Sequence, residues 1–61
     1  MQSYTIVIAD DHPLVRTGVR DALSPENRYQ VIGEASRRYE AFELVRTLRP
    51  DLLILDLVMD V

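Results

Sequence analysis

Thr5-Ile6-Val7-Ile8-Ala9-Asp10-Asp11-His12-Pro13 is the stretch that decides the fold. Its apolar run is short, continuous and β-branched, which suits a strand covered on both faces. It runs straight into two carboxylates and then into Pro13, a good first helical residue because its missing N–H would be unpaired there anyway. A second such junction closes the chain: Leu52-Leu53-Ile54-Leu55 runs into Asp56. A carboxylate at the tip of a buried strand stands at the boundary between core and water. If the two strands lie side by side, Asp10, Asp11 and Asp56 meet in one small anionic cup.

The segments between these junctions support that arrangement. After Pro13, Leu14, Val15, Gly18, Val19, Ala22 and Leu23 fall on one helical face, with Arg16, Arg20 and Asp21 on the other. Ser24-Pro25-Glu26-Asn27 reads as a turn. Tyr29-Gln30-Val31-Ile32-Gly33 is a second, weaker strand. A second helix starts near Ser36 and continues to about Arg49, with Ala41, Leu44, Val45 and Leu48 as its apolar face. Arg46 and Arg49 in its last turn oppose the helix dipole, and Pro50 stops it. Residues 51–57 form the third strand.

The expected fold is therefore α/β, a β-α-β-α-β unit with a parallel sheet. Crossovers of this kind are nearly always right-handed. With strand 3 on the far side of strand 1 from strand 2, the order is 2-1-3 and the helices cover opposite faces. The gap between strands 1 and 3 is then a topological switch point, where open sheets of this class bind ligands. Adjacent strands lie about 4.8 Å apart, so the three acids are close enough to share one ion.

Composition narrows the function classes. The chain has 61 residues and a net charge of −3, so it holds one domain at most, and its acidity disfavours direct nucleic-acid binding. A domain of this size buries only about 60% of its unfolded surface and is marginal alone. Cysteine is absent, which removes disulfides and thiolate metal sites and suits a reducing cytoplasmic setting. No apolar run approaches the roughly 20 residues needed to span a bilayer. Met1-Gln2-Ser3-Tyr4 shows no secretory pattern, so a cytoplasmic location without membrane contact is expected. All seven basic residues are arginine.

Three packed carboxylates repel, so without a cation at least one is expected to have a raised pKa. A hard divalent ion relieves this, and magnesium suits one or two carboxylates with waters and a phosphate. A bound metal can also neutralise charge on a transferring phosphoryl group, and an aspartate carboxylate can attack phosphorus to form an acyl phosphate. Aspartate after a strand is more often a helix cap or turn former. A pair on one strand with a third on its neighbour, all at one end of the sheet, points beyond that. His12 reads as a capping or surface residue with base or ligand as the alternative, and Asp51 and Asp60 read as solvated loop acids. Arg37 and Arg38 read as a solvated helix start, and Tyr39 and Phe42 as partial core or interface.

The segments Ile-Val-Ile-Ala-Asp10-Asp11-His12-Pro13-Leu14-Val15-Arg16-Thr17-Gly18, Val31-Ile32-Gly33-Glu34-Ala35 and Arg49-Pro50-Asp51-Leu-Leu-Ile-Leu-Asp56-Leu-Val-Met59 resemble the receiver domain of bacterial two-component response regulators. The Asp-Asp-His-Pro and Val-Ile-Gly-Glu-Ala segments resemble the LuxR/NarL-type subfamily, which carries a helix-turn-helix. The resemblance spans nearly the whole chain and implies a flavodoxin-like, CheY-like half-fold. It implies Asp56 as phosphoacceptor, Asp11 as direct magnesium ligand, Asp10 as an acid holding the metal largely through water, and the main-chain carbonyl of Val58 as the remaining protein ligand. The implied donor is a sensor histidine kinase, or a small acyl phosphate. DNA binding belongs to a C-terminal domain outside this segment.

Set against that family, the chain reads as the first half of a receiver, ending after strand 3. The family's strand-4 Ser or Thr, strand-5 Lys and switch aromatic have no counterpart here. Asp60 stands where the family usually has proline after Met59, and Arg37-Arg38-Tyr39 where it often has small or polar residues with a glycine. Strand 3 is the most apolar in the chain, and an unpaired apolar edge invites pairing with another chain. The expected state is thus a non-enzymatic phosphoacceptor module that self-associates through strand 3. The alternative is a structural or interaction fragment without phosphotransfer. A magnesium-dependent phosphohydrolase ranks last, because such enzymes carry a second acid two residues beyond the nucleophile and Val58 stands there.

Overall fold

A computed structural model describes residues 3–25 and 28–56. It contains β1 (Tyr4–Ala9), α1 (Pro13–Leu23), β2 (Tyr29–Ala35), α2 (Arg38–Leu48) and β3 (Leu52–Leu55). The strands are parallel, as the alternation of segments predicts, and ordered β2-β1-β3, so strand 3 does lie on the far side of strand 1 from strand 2. β1 therefore lies in the middle. Ile6, Val7, Ile8 and Ala9 are all buried, which is why that segment carries no polar residue. Full burial of an Ile or Val side chain contributes about 2 kcal/mol, so β1 is the principal apolar element.

The register between β1 and β2 is interrupted once. Ile6 pairs with Val31 and Val7 with Gly33, so Ile32 is skipped as a bulge. The skip changes which side of the sheet each residue faces. Before it, Tyr29 and Val31 border the same groove as Arg20 and Leu23 of α1. After it, Gly33 faces α2, where an added Cβ would lie 3.3 Å from Leu44 Cδ1 and 3.4 Å from Leu48 Cδ1. Glu34, the next residue, faces α1 and meets Arg16 and Arg20. Consecutive strand residues point to opposite faces, so the two helices cover opposite sides of the sheet. Ala9, Ala35 and Ala41 form the small core on the α2 side, with Leu44 against it.

Helix ends follow local chemistry. Glu40 Oε1 accepts from the N–H groups of Ser36 and Arg37 and from Ser36 Oγ. It thereby satisfies donors that the first turn of α2 leaves open. These bonds, that to the Ser36 N–H foremost, hold its carboxyl below the ordinary range. Arg49 closes α2 in a left-handed conformation with φ 49°, and its N–H donates to Val45 O.

Several expectations need correction. β2 extends through Glu34 and Ala35 because the bulge resets its pairing with β1. α2 starts at Arg38, with Arg37 as N-cap. β3 is confined to Leu52–Leu55, and Leu57 lies outside the described residues. The apolar face of α1 is only partly covered: Val19 and Leu23 are half-buried, whereas Leu14 is 86% exposed. Tyr39 and Phe42 are likewise exposed, so of the two readings, partial core or interface, the core one fails. Asp51 is not merely a solvated loop acid. Its Oδ2 accepts from the N–H and Oγ1 of Thr5, while its own N–H donates back to Thr5. The start of β3 is thus tied to the start of β1.

Candidate functional site

The sheet ladder delivers two of the acids to the cup. The N–H of Asp10 donates to Ala35 O at 2.9 Å and that of Asp56 to Ala9 O at 2.9 Å. Both residues therefore sit one step past the carboxyl ends of their strands. Asp11 follows in the loop before α1. Ligating atoms of Asp10, Asp11, His12 and Asp56 all lie within 4.8 Å of one another. The expected convergence of residues 10, 11 and 56 is present. Val58 and Asp60 lie outside the described residues.

His12 belongs to the cup, the alternative that the sequence reading ranked below a capping or surface role. It occupies the N-cap of α1 but makes no side-chain capping bond. Its ring turns inward instead, with Nδ1 2.9 Å from Asp10 Oδ1, 2.9 Å from Asp11 Oδ1 and 3.8 Å from Asp56 Oδ2. The Asp-Asp-His spacing before Pro13 was the available signal: a residue held at a helix start points its side chain back over the loop that precedes it.

The electrostatics follow. The backbone N–H and then the ring of His12 bond to Asp10 and hold its carboxyl below the ordinary range, against the effect of burial. The same bond, with the charge of Asp11 next, raises the His12 pKa. Crowding is expected to push at least one of the acids up; at Asp10 the His12 N–H, and after it the ring, outweigh that effect. One N–H cannot serve every carboxylate well. Asp11 Oδ1 is buried and has no hydrogen-bond partner, although Nδ1 is near it. Buried oxygens without a donor are uncommon. The three carboxylates, one of them with an oxygen that makes no hydrogen bond, are donors suited to a hard divalent cation.

Helical periodicity places Arg16 on the face opposite the apolar residues of α1, yet its side chain is only 19% exposed. Its Nη1 donates to Asp10 O at 2.5 Å and its Nε to Glu34 Oε1 at 3.2 Å. Arg20 also pairs with Glu34. Beside the cup, a groove between α2 and β3 is lined by Arg38, Ala41, Phe42, Leu53, Leu55 and Asp56. Among the described residues, no helix is long and apolar enough to cross a membrane.

Comparison with known proteins supplies the family. A family model described as the response regulator receiver domain matches residues 6–61. The nitrate/nitrite response regulator protein NarL of Escherichia coli K12 is 47% identical over 55 residues, covering 90% of this chain and 26% of that protein. The chain thus spans about a quarter of the length of this curated relative. The signal receiver domain of the response regulator NarL from Mycobacterium tuberculosis superposes with a TM-score of 0.91 at 41% identity, over 97% of this chain and 48% of that one. A LuxR-family two-component response regulator from Aurantimonas gives a TM-score of 0.90 at 36% identity, over 97% of this chain and 42% of that one.

Proposed function

The chain belongs to the response regulator receiver domain family, and from that membership we propose that it is a phosphoacceptor module with Asp56 as the acceptor. The supporting observation is the meeting of Asp10, Asp11 and Asp56 at one end of the sheet. A carboxylate oxygen of Asp56 attacks the phosphorus of a sensor kinase's phosphohistidine. An O–P bond forms, the N–P bond breaks, and the imidazole leaves with the electron pair. The product is an acyl phosphate. Asp10, Asp11 and Asp56, with the main-chain carbonyl of Val58, would hold magnesium. When bound, that ion supplies positive charge opposite the transferring group. Asp10, held below the ordinary carboxyl range, is ionised and ready to bind a cation or its water. DNA binding is assigned to a separate C-terminal domain of the parent protein, and no membrane partner is assigned.

Titration with magnesium and beryllofluoride tests this reading. Saturable binding that Asp56→Asn abolishes supports it, and its absence in the unaltered chain overturns it. A second reading has its own observation. Leu52, Leu53 and Leu55 are exposed on β3, the outermost strand of the described sheet, with Phe42 exposed beside them. Such an edge supports self-association of this chain through β3, with or without phosphotransfer. Sedimentation over a range of concentrations decides it, and a single monomeric species at high concentration overturns it.

A further inference from the structure

We propose that Arg16 is a positioning residue for the cation site, an inference that rests on the metal-binding reading above. β1 ends its ladder at Asp10, whose N–H is held by Ala35 O. Beyond that point the chain leaves the sheet, and the carbonyl of Asp10 needs a donor from elsewhere. Arg16 Nη1 provides it at 2.5 Å. That carbonyl belongs to the peptide plane joining Asp10 to Asp11. Fixing the plane fixes the direction in which Asp11 leaves the sheet, and with it the place of its orphaned oxygen.

Arg16 reaches back because helical side chains lean toward the N-terminus. A cation in the first turn is opposed by the helix dipole, so local propensity does not account for arginine there. Its surroundings do. Glu34 on β2 accepts from Nε at 3.2 Å and also pairs with Arg20. The guanidinium is thereby clamped between a strand-borne carboxylate and the loop carbonyl. Arg16 serves the two acceptors from two separate nitrogens, Nε and Nη1; lysine carries its three donors on a single nitrogen and cannot span both positions in the same geometry.

The charge of Arg16 and its bonds predict opposite effects. Deleting a cation near a cation site should tighten magnesium binding by Coulomb's law, whereas deleting a brace should weaken it. Outer-shell partners of this type typically contribute at least about tenfold to metal affinity. The test uses the full chain with Arg16→Gln, Arg16→Lys and Glu34→Gln. Arg46→Gln is the control, since it removes an exposed arginine that pairs, among the described residues, with Glu43 along its own helix. Two quantities are measured: the magnesium Kd, and hydrogen exchange at the His12 and Ile8 amides without metal.

Both Arg16 variants should weaken magnesium about tenfold and speed exchange at His12, whose N–H bonds Asp10 Oδ1, while Ile8 stays protected. Glu34→Gln should do the same to a smaller degree, and Arg46→Gln should do neither. Unchanged or tighter magnesium binding in Arg16→Gln, full rescue by lysine, or exchange rising equally at Ile8 would each overturn the proposal. If the unaltered chain binds no magnesium, the metal reading fails alone. The exchange arm then decides whether Arg16 orders the loop, and unchanged exchange at His12 sinks it.

Discussion

Nδ1 of His12 lies 2.9 Å from Oδ1 of Asp10, so an imidazole occupies the mouth of the anionic cup. The ring and a divalent ion would bond the same oxygens. Adding magnesium should therefore expel the ring, and the His12 ring resonances should move toward those of free imidazole as binding saturates. NMR titration checks this. Ring signals that stay constant while the metal binds would show that both fit together.

Glu40 gives a pH dependence of stability. Its folded pKa is depressed, so its contribution is present above the ordinary glutamate value and is lost as the pH falls through the lower folded value. Glu40→Ala should lower the melting temperature at pH 7, and the gap from the unaltered chain should shrink in acid. Melts between pH 7 and pH 3 decide it; a gap independent of pH would remove the carboxylate from the account.

Asp51 ties β3 to β1 through its bonds with Thr5. Asp51→Ala should cost about 1 kcal/mol, the usual scale of an exposed hydrogen-bonded pair. Denaturant titration measures it, and Thr5→Ala combined with Asp51→Ala should add little further loss. Full additivity would mean the two residues act separately.

Arg49 adopts a left-handed conformation before Pro50. Such a position disfavours residues with a Cβ and suits glycine. Arg49→Gly should stabilise the chain by roughly 0.5–1 kcal/mol, read as a higher denaturant midpoint at constant slope. A fall in midpoint would mean the guanidinium makes a compensating contact.

The β3 edge should respond to charge. Leu53→Lys places a cation on an exposed strand position, a common means of blocking edge pairing. It should lower the sedimentation coefficient at high concentration while the far-ultraviolet spectrum is kept. Unchanged association would move the contact away from β3.

The fold was legible because β1 is a continuous apolar run, the first helix runs into Ser24-Pro25 and the second into Pro50, all local signals. The acids were legible for the same reason: each follows an uninterrupted strand. β2 was not. Simple alternation puts Val31 and Gly33 on one face, yet the bulge at Ile32 puts Val31 on the α1 side and Gly33 on the α2 side. Gly33 was the one sign of the break, because a glycine inside a strand pattern often marks a bulge. Arg16 was misplaced because helical periodicity assigns a face but not the reach of a long side chain. His12 was undervalued because capping preference describes the backbone at a helix start, and here the ring bonds across the loop.

Ile32 can be viewed as a spare residue that the sheet has absorbed. Shortening β2 at that position would leave Val31 beneath one helix and Glu34 within reach of Arg16 as before. A residue gained between Gly33 and Glu34 would instead rotate Glu34 to the wrong side and strip the arginine of its anchor. Length variation in this strand should thus be tolerated at one site and damaging two residues away.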